Sequence, residues 1–316
     1  MIHAVDRREF LATSAAAGVL AATASWGTAR EDKAKVPFKI SLAQWSLHKA
    51  FGRGGKPTLD PLNFAQIAHA EYGIDAVEYV NQFYAAKKKD DGYLKQLKQV
   101  ADDSGVRSVL IMCDGEGALG DADTAKRATA VDNHKRWVEW AKFLGCHSIR
   151  VNAQSSGSYD EQIERAAEGL RSLTEFGKTM AISVIVENHG GLSSNGEWLA
   201  KTIKLVGMPE CGTLPDFGNF NVGKNSSGVA ETYDRYKGVD EMMPFAKGVS
   251  AKTHDFDEKG NETHTDYRKM MEIVVKKHKY SGFVGIEYEG AKMTEPEGIR
   301  ATLKLLEEIR VEMAKA

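Results

Sequence analysis

Eight short apolar segments alternate with longer amphipathic ones, and this repetition limits the fold of the chain more than any other feature of its sequence. The apolar segments have the length of strands, and they lie at 38–47, 76–80, 106–113, 148–152, 183–187, 212–216, 248–253 and 283–288. Apolar residues recur at helical spacing at 62–72, 93–104, 124–144, 159–180, 196–206, 240–245, 267–277 and 295–313. Regular alternation of strand and helix predicts βα units around a parallel sheet.

The number and size of these units predict a closed barrel. Eight units that fill roughly 280 residues, without a Pro- or Gly-rich linker, match one (β/α)8 barrel, the TIM barrel. Segments 70–78, 141–150 and 277–287 share one plan: a helix end, a Gly in or near the following turn, and a strand that ends in a charged residue. We therefore predict an α/β protein with a single barrel domain over residues 30–316.

The N-terminal residues 1–29 have the pattern of a twin-arginine export signal. Arg7 and Arg8 precede Phe10-Leu11 and an Ala-rich run without charges, and small residues at 22–24 and 27–29 offer peptidase sites. The apolar run is too short for a membrane span. We expect an exported, periplasmic protein that is free of the membrane once the signal is removed. The twin-arginine route carries folded proteins, which suits a chain that acquires a metal before export.

Charge and cysteine content exclude several classes of protein. The chain has 42 Lys and Arg against 44 Asp and Glu, a net charge of −2, so we expect no nucleic-acid partner. The three cysteines, Cys113, Cys146 and Cys211, are an odd number without paired spacing. We therefore expect buried free thiols rather than disulfides or a zinc ribbon.

Polar side chains stand at the predicted strand ends, which meet at one mouth of a barrel. They are Gln44, Trp45, Glu78, Cys113, Asp114, Arg150, Asn152, Glu187, His189, Asp216, Asn219, Lys252, His254, Glu287 and Glu289. Several like charges in a mouth of low dielectric constant repel one another, and a divalent cation commonly neutralises them. Oxygen-rich ligation suits Mn²⁺ or Mg²⁺, and Zn²⁺ or Co²⁺ is also compatible. The alternative is a ring of salt bridges with Arg150 and Lys252.

Three segments carry a resemblance to a known family. Val-Glu-Asn-His-Gly-Gly at 186–191, Leu-Pro-Asp-Phe-Gly-Asn at 214–219 and Gly-Ile-Glu-Tyr-Glu-Gly at 285–290 resemble the xylose-isomerase-like family of sugar isomerases and epimerases, over residues 36–314. The resemblance implies a divalent metal held by Glu187, Asp216 and Glu287 from the fifth, sixth and eighth strands. It also implies that the two glutamates flank the substrate and move its proton.

The seventh strand departs from the family pattern. Many members have His-x-Lys there, and aligning that lysine with Lys252 puts Ser250 in place of the metal-binding histidine. Residues 250, 252 and 254 face the same side of a strand, so His254 is a candidate for the fourth ligand. Without it, the metal is left with three carboxylates and water.

These residues predict an isomerase or epimerase that removes a proton next to a carbonyl. Glu187 and Glu287 would act as base and acid, and Lys252 would stabilise the oxyanion or pair with a carboxylate. The same parts support a lyase or dehydratase of a 3-keto-glycoside or inosose, with His189 or His254 protonating the leaving group. An exported enzyme suits a non-phosphorylated sugar. We expect the carbohydrate to contact Trp45, Glu78, Arg150, Asn152 and His189.

Other interpretations remain at this stage. A non-catalytic sugar-binding barrel is one alternative, and an apurinic-site endonuclease is disfavoured by the negative net charge and only nine histidines. His134 is assigned to the core or the surface. The polar segment 217–240 has the composition of a loop that covers the mouth. Barrels of this kind often pair, so a homodimer is a further expectation.

Overall fold

The computed structural model describes residues 36–224 and 227–315. The export signal predicted over residues 1–29 lies outside the described residues. Within the described part, no helix combines the length and the apolar character that crossing a membrane requires.

Eight parallel strands of the described chain form one sheet in which neighbours in sequence are neighbours in space. They are β1 (Lys39–Ala43), β2 (Ala76–Val80), β3 (Arg107–Met112), β4 (Ser148–Val151), β5 (Ser183–Glu187), β6 (Cys211–Leu214), β7 (Val249–Thr253) and β8 (Phe283–Tyr288). β1 pairs with both β2 and β8, so the first and last strands lie side by side.

Short contacts between β6 and β7 complete the ring. The amide of Lys247 donates to the carbonyl of Thr213 (3.0 Å), and that of Ser250 donates to Pro215 (2.9 Å). Two parallel bridges join the same segments, and one of them pairs Asp216 with Ser250. The strands thus form a nearly closed barrel, and the predicted (β/α)8 fold is confirmed.

Eight helices of the described chain lie between the strands and after the last of them. They are α1 (Phe64–Tyr72), α2 (Asp91–Asp103), α3 (Thr124–Leu144), α4 (Tyr159–Thr179), α5 (Gly196–Val206), α6 (Arg235–Met242), α7 (Tyr267–Met271) and α8 (Glu295–Ala314). Short 3₁₀ turns lie at Gln44–Leu47, Pro61–Asn63, Asn81–Lys87, Gly191–Ser194 and Met243–Phe245, and a π turn at Glu272–Lys277 follows α7.

Helices begin and end at residues that commonly cap them, and two of the three predicted glycine turns are present. α4 and α8 begin with capping boxes, and α1 and α3 end at Gly73 and Gly145 with φ of 66° and 83°. Segment 277–287, the third with the plan of helix end, glycine and strand, differs from the other two. There the residue with a left-handed backbone is Lys279, after the π turn, and Gly282 comes three residues later. Glycine is favoured in such a turn but is not obligatory.

Two element boundaries differ from the sequence prediction. β1 ends at Ala43 rather than near 47, since Gln44–Leu47 form a 3₁₀ turn. α6 begins at Arg235, capped by Asp234, and ends before the turn that contains Pro244. The segment predicted as one long loop at 217–240 contains a hairpin of Asn221–Lys224 and Ala230–Thr232 before that helix.

The core lies in two regions. A small cluster of strand side chains faces the barrel interior, including Ala76, Leu110, Ile185 and Leu214, and a larger one lies between the sheet and the helices. The three cysteines are free and buried, as predicted. With its lower interior filled by apolar side chains, the barrel keeps its polar groups near the carboxyl ends of the strands.

Candidate active site

Three buried carboxylates meet at the mouth of the barrel. Glu187 ends β5, Asp216 follows β6 and Glu287 lies in β8. Their exposed fractions are 0%, 0% and 3%, and one oxygen from each lies within 4.8 Å of the others. The parallel strands bring them together because their carboxyl ends point to the same face of the barrel.

Two buried cations pair with these carboxylates. Nε of Arg150 lies 2.7 Å from Oε2 of Glu187, an ionic contact without a directed hydrogen bond. Nζ of Lys252 lies 3.0 Å from Oε1 of Glu287, its partner across the β7–β8 ladder, and 4.0 Å from Oδ2 of Asp216. The ion pairs that the sequence offered as an alternative to a metal are therefore present.

Further carboxylates leave these two cations outnumbered. Arg150 also binds Asp114 (Nη1 to Oδ1, 2.8 Å), and Lys252 also lies 3.2 Å from Oε2 of Glu289. Five carboxylates thus surround two cations: Asp114, Glu187, Asp216, Glu287 and Glu289. This arrangement retains a surplus of negative charge unless protons or a further cation neutralise it.

Ser250 occupies the position at which the family resemblance implies a histidine. Its Oγ lies 2.7 Å from Oδ2 of Asp216 and 3.0 Å from Oε2 of Glu287. The short β6–β7 contacts fix this position, since the 216–250 bridge places both backbones side by side. A hydroxyl oxygen therefore joins the three carboxylates where an imidazole was expected.

Amides hold the carboxylates in place. The Asn188 side chain accepts from the amide of Asp216 (2.7 Å) and donates to its carbonyl (3.1 Å). Oδ1 of Asp216 accepts from the backbone of Gly218 and Asn219 (2.8 Å each), and Asn219 Nδ2 donates to Oε1 of Glu187 (2.9 Å). The motifs at 186–191 and 214–219 therefore position the acidic groups through their asparagines.

Burial sets the protonation of the two glutamates. It raises the pKa of Glu187 well above the usual value, Arg150 opposes this rise, and the neighbouring carboxylates add to it. Burial also raises the pKa of Glu287, against the effect of Lys252. Ligand oxygens of the two carboxyl groups lie within 4.8 Å of each other, so a proton on one affects the pKa of the other.

The structure does not bring His254 to the three carboxylates. β7 ends at Thr253, and the chain then turns into a small rim loop. There His254 lies with Glu262 and His264, and ligand atoms of these three residues lie within 4.8 Å of one another. Alternation along a strand correctly aligns residues 250 and 252, but it stops applying at the residue where the strand ends.

A cavity of about 510 Å³ opens beside the carboxylate cluster; Glu287 lines it, whereas Glu187 and Asp216 do not. Four predicted substrate residues line it, namely Trp45, Arg150, Asn152 and His189, together with Glu287 and Glu289. Burial lowers the pKa of His189, and the cations Arg150 and Lys252 lower it further, so its imidazole is neutral. No residue of 217–224 or 227–240 lines this cavity, so closure of the mouth by that segment stays a prediction.

Glu78 does not line the cavity. It is 1% exposed in the barrel interior, where its Oε1 accepts a hydrogen bond from Ser41 (2.6 Å) and its Oε2 has no partner among the described residues. Burial raises the pKa of Glu78 to about 7. Glu78 was expected to contact the substrate as a strand-end residue, but it lies two residues before the end of β2 at Val80, which was also the predicted end, and so lies below the rim.

Further contacts complete the wall of the cavity. Trp45 Nε1 donates to Oε1 of Glu289, which fixes the indole as part of that wall. Asp114, already among the strand-end candidates, also lines the cavity, and so do Glu116 and His134, which sequence reasoning missed; the histidine lies inside α3. The run Asp-Gly-Glu-Gly at 114–117, directly after β3, was the available signal, because glycines beside acidic residues at a strand end are typical of a binding loop.

Sequence comparison identifies the family. A family model described as a xylose isomerase-like TIM barrel matches residues 67–309. The chain belongs to this family. The family assignment confirms the resemblance found in the strand-end motifs. No protein with a curated description matches the sequence.

Solved structures of xylose isomerase-like barrels share the fold at low identity. The 3-keto-D-glucoside 4-epimerase from E. coli, in its apo form, is 16% identical, with 86% of this chain and 99% of that chain covered and a TM-score of 0.64. An L-ribulose 3-epimerase is 14% identical, with 88% and 96% covered and a TM-score of 0.67. A family member from Mycobacterium smegmatis in complex with magnesium is 14% identical, with 88% and 97% covered and a TM-score of 0.62.

Proposed function

We propose that this chain is a divalent-metal-dependent isomerase or epimerase of a non-phosphorylated sugar or keto-sugar, which acts by removing a proton next to a carbonyl. The observation that carries the proposal is the pair of buried glutamates, Glu187 and Glu287, whose ligand oxygens lie with one from Asp216 within 4.8 Å of one another. Glu287 lines a polar cavity large enough for a monosaccharide, and Glu187 lies beside it. Moving a proton off and back onto carbon requires a base and an acid of similar pKa.

Each of the two glutamates lies beside its own cation. Lys252 lies 3.0 Å from Glu287 and favours its carboxylate form, which suits the base. Arg150 lies 2.7 Å from Glu187 and favours its carboxylate form in the same way, so either glutamate can be the base. Nζ of Lys252 is also placed to stabilise negative charge on the substrate oxygen.

The donor set fits a divalent cation. Three carboxylates, joined by the Ser250 hydroxyl, offer oxygen ligands of the kind that Mg²⁺ and Mn²⁺ prefer, and the surplus of negative charge favours a bound cation. Glu187, Asp216 and Glu287 would hold it. When bound, such an ion polarises the carbonyl of the substrate and so acidifies the neighbouring C–H. A related barrel in complex with magnesium supports this assignment.

The cavity walls favour a substrate without phosphate, since four carboxylates line them (Asp114, Glu116, Glu287 and Glu289) against two cations (Arg53 and Arg150). Arg150 and Lys252 already pair with carboxylates, which leaves the floor of the site poorly suited to a phosphate. The fixed indole of Trp45 can cover the apolar face of a sugar ring, while Asn152 and Glu289 bind hydroxyls. The names of two similar structures, a 3-keto-glucoside epimerase and a ribulose epimerase, also support a sugar.

The surroundings of His189 make it a poor acid for an elimination. A lyase must protonate its leaving group, and an imidazolium does this well near neutral pH. Burial and the two cations lower the pKa of His189 and so disfavour its imidazolium form. A non-catalytic sugar-binding barrel would not need two buried glutamates with raised pKa values.

The test is isotope exchange in D₂O, followed by NMR, with metal-loaded protein and a panel of ketoses and 3-keto-glycosides. We expect deuterium at the carbon beside the carbonyl, and a loss of exchange of roughly 10²–10⁴-fold in Glu187→Gln and in Glu287→Gln. Glu164→Gln, on the exposed face of α4, is the matched control and should exchange as the wild type does. Unsaturated products would favour the lyase, and sugar binding without exchange would favour the binding protein.

We also propose that the chain is exported through its twin-arginine segment to the periplasm. A substrate without phosphate, as supported above, is the kind of sugar available there. Replacing Arg7 and Arg8 by lysine should retain the protein in the cytoplasm, as measured by fractionation and immunoblotting. Export of the double variant at the wild-type level would contradict the proposal.

A further inference from the structure

We propose a second metal site on the rim of the barrel, formed by His254, Glu262 and His264 and selective for a transition metal such as Zn²⁺. One ligand atom from each of these residues lies within 4.8 Å of the others. This rim triad is separate from the carboxylate cluster of Glu187, Asp216 and Glu287. It also differs in chemistry, because two imidazoles replace two of the carboxylates.

The loop after β7 folds so that residues eight and ten positions apart meet. Phe256 and Glu262 form an antiparallel bridge, and the turn between them has Gly260 at φ +81°. Oδ1 of Asp257 accepts from the amides of Lys259 and Asn261 (2.9 and 2.8 Å) and holds this turn. The hairpin therefore returns Glu262 to the side of His254 without help from a ligand.

The carboxylate of Glu262 is fully buried and fixed in orientation. Its Oε1 accepts from the amide of His254 (3.3 Å), and its Oε2 accepts from the amides of His264 (2.7 Å) and Thr265 (2.5 Å). Among the described residues, its only ion-pair contact is Nδ1 of His264 at 3.9 Å, and no Lys or Arg pairs with it. A buried negative charge without a cationic side chain is a favourable place for a metal ion.

The two imidazoles have nitrogens available for ligation. Their ring centroids lie 5.0 Å apart at an interplanar angle of 43°. Apart from the 3.9 Å contact of His264 with Glu262, the ring nitrogens of both histidines have no polar partner among the described residues. Free nitrogens beside a preoriented carboxylate are what a metal site requires of the protein.

Two histidines and one carboxylate, with the remaining positions open, are typical of Zn²⁺ sites and of non-haem Fe²⁺ sites. Such a set prefers Zn²⁺ to Mg²⁺, whereas the all-oxygen cluster suits Mg²⁺ or Mn²⁺. The rim triad also borders the active site, since a Cβ on Gly218 would lie 3.4 Å from Cε1 of His254 and 3.0 Å from Cδ of Lys252. A bound ion would tie the rim loop together beside the mouth.

The test measures Zn²⁺ affinity and stoichiometry by competition with a chromophoric chelator. We expect His264→Ala to bind one zinc ion fewer than the wild type, and Glu187→Gln to retain the rim ion. His264 is exposed, so its replacement should leave the thermal midpoint of the metal-free protein unchanged. His69→Ala, which removes an exposed histidine paired with Asp75, is the matched control and should bind zinc as the wild type does.

A second readout keeps the two metal sites distinguishable. Co²⁺ bound to the rim triad of Glu187→Gln should give a visible absorption band that disappears in Glu187→Gln/His264→Ala. Unchanged zinc stoichiometry and affinity in His264→Ala, or a Glu187→Gln protein that binds no zinc, would overturn the proposal. Either result leaves the proposed isomerase chemistry standing, because that chemistry depends on the carboxylate cluster.

Discussion

Replacing Glu78 by glutamine tests whether this buried carboxyl group is protonated in the folded protein. Glu78 is 1% exposed, and burial raises its pKa to about 7 from a usual value of 4.5. Between these values the unfolded chain has lost the proton and the folded chain still holds it. The free energy of unfolding therefore falls as the pH rises through this window. Above about pH 7 both states are ionised, and the loss is complete.

The expected magnitude follows from linkage. A shift of about 2.5 pKa units corresponds to roughly 3 kcal/mol, of which about 2.5 kcal/mol is lost between pH 5 and pH 8. Glu78→Gln has no charge to bury, and its amide oxygen can still accept the Ser41 hydrogen bond. The variant should therefore gain about 2.5 kcal/mol relative to the wild type between these two pH values.

Urea unfolding at pH 5 and pH 8 measures this difference. Any cost of burying the amide itself is independent of pH and cancels between the two conditions. Glu164→Gln, on an exposed helix face, is the control and should follow the wild type at both values. An equal stability difference between Glu78→Gln and wild type at pH 5 and pH 8 would refute a buried, protonated Glu78. If Glu78 instead bound the sugar, the variant would raise KM, and we expect KM to stay unchanged.

Three further predictions address packing and charge around the site. Gly169→Ala should cost about 1–3 kcal/mol in urea unfolding, because the added Cβ would lie 1.9 Å from the carbonyl oxygen of Leu119; an unchanged midpoint would contradict this contact. Burial raises the pKa of Glu289, but Lys252 and the N–H donor of Trp45 together outweigh burial and lower it. Trp45→Phe removes that donor, so ¹³C NMR titration should show a higher pKa for Glu289 in the variant. Arg150→Met leaves the carboxylates of Asp114 and Glu187 without their cation, and the free energy of unfolding should fall by about 3–5 kcal/mol at pH 7. A loss below 1 kcal/mol would mean that those groups bind protons instead.

Local pattern was sufficient for the architecture. The strands at 76–80, 183–187 and 283–288 have the predicted boundaries, because buried parallel strands are short runs of mostly apolar residues. The local pattern gave wrong element boundaries in two places. At Gln44–Leu47 a turn continues the apolar run of a strand, and at Pro244 a proline separates a helix from the following turn. In both places the hydrophobic pattern is the same for the two alternatives, so tertiary contacts decide.

The site was predictable to the extent that strand ends define it. Glu187, Asp216 and Glu287 were located from sequence, since every parallel strand of a barrel delivers its last side chains to one mouth. Glu78 and His254 were misplaced even though their strands end at Val80 and Thr253 as predicted. Glu78 lies two residues before the end of its strand and is buried in the barrel interior, and His254 lies one residue after the end of its strand, where the course of the loop sets the direction of the side chain.

The sequence alone determined the eight βα units, the single barrel and the set of acidic strand ends, because these depend on periodicity within short stretches of chain. Only the tertiary structure decided which of those groups meet. Ser250 reaches Asp216 and Glu287 through the β6–β7 closure, Lys252 faces Glu287 through strand register, and His254 joins a rim loop. Such contacts join residues that are distant in sequence, and they are set by register and by the course of loops, which local spacing does not encode.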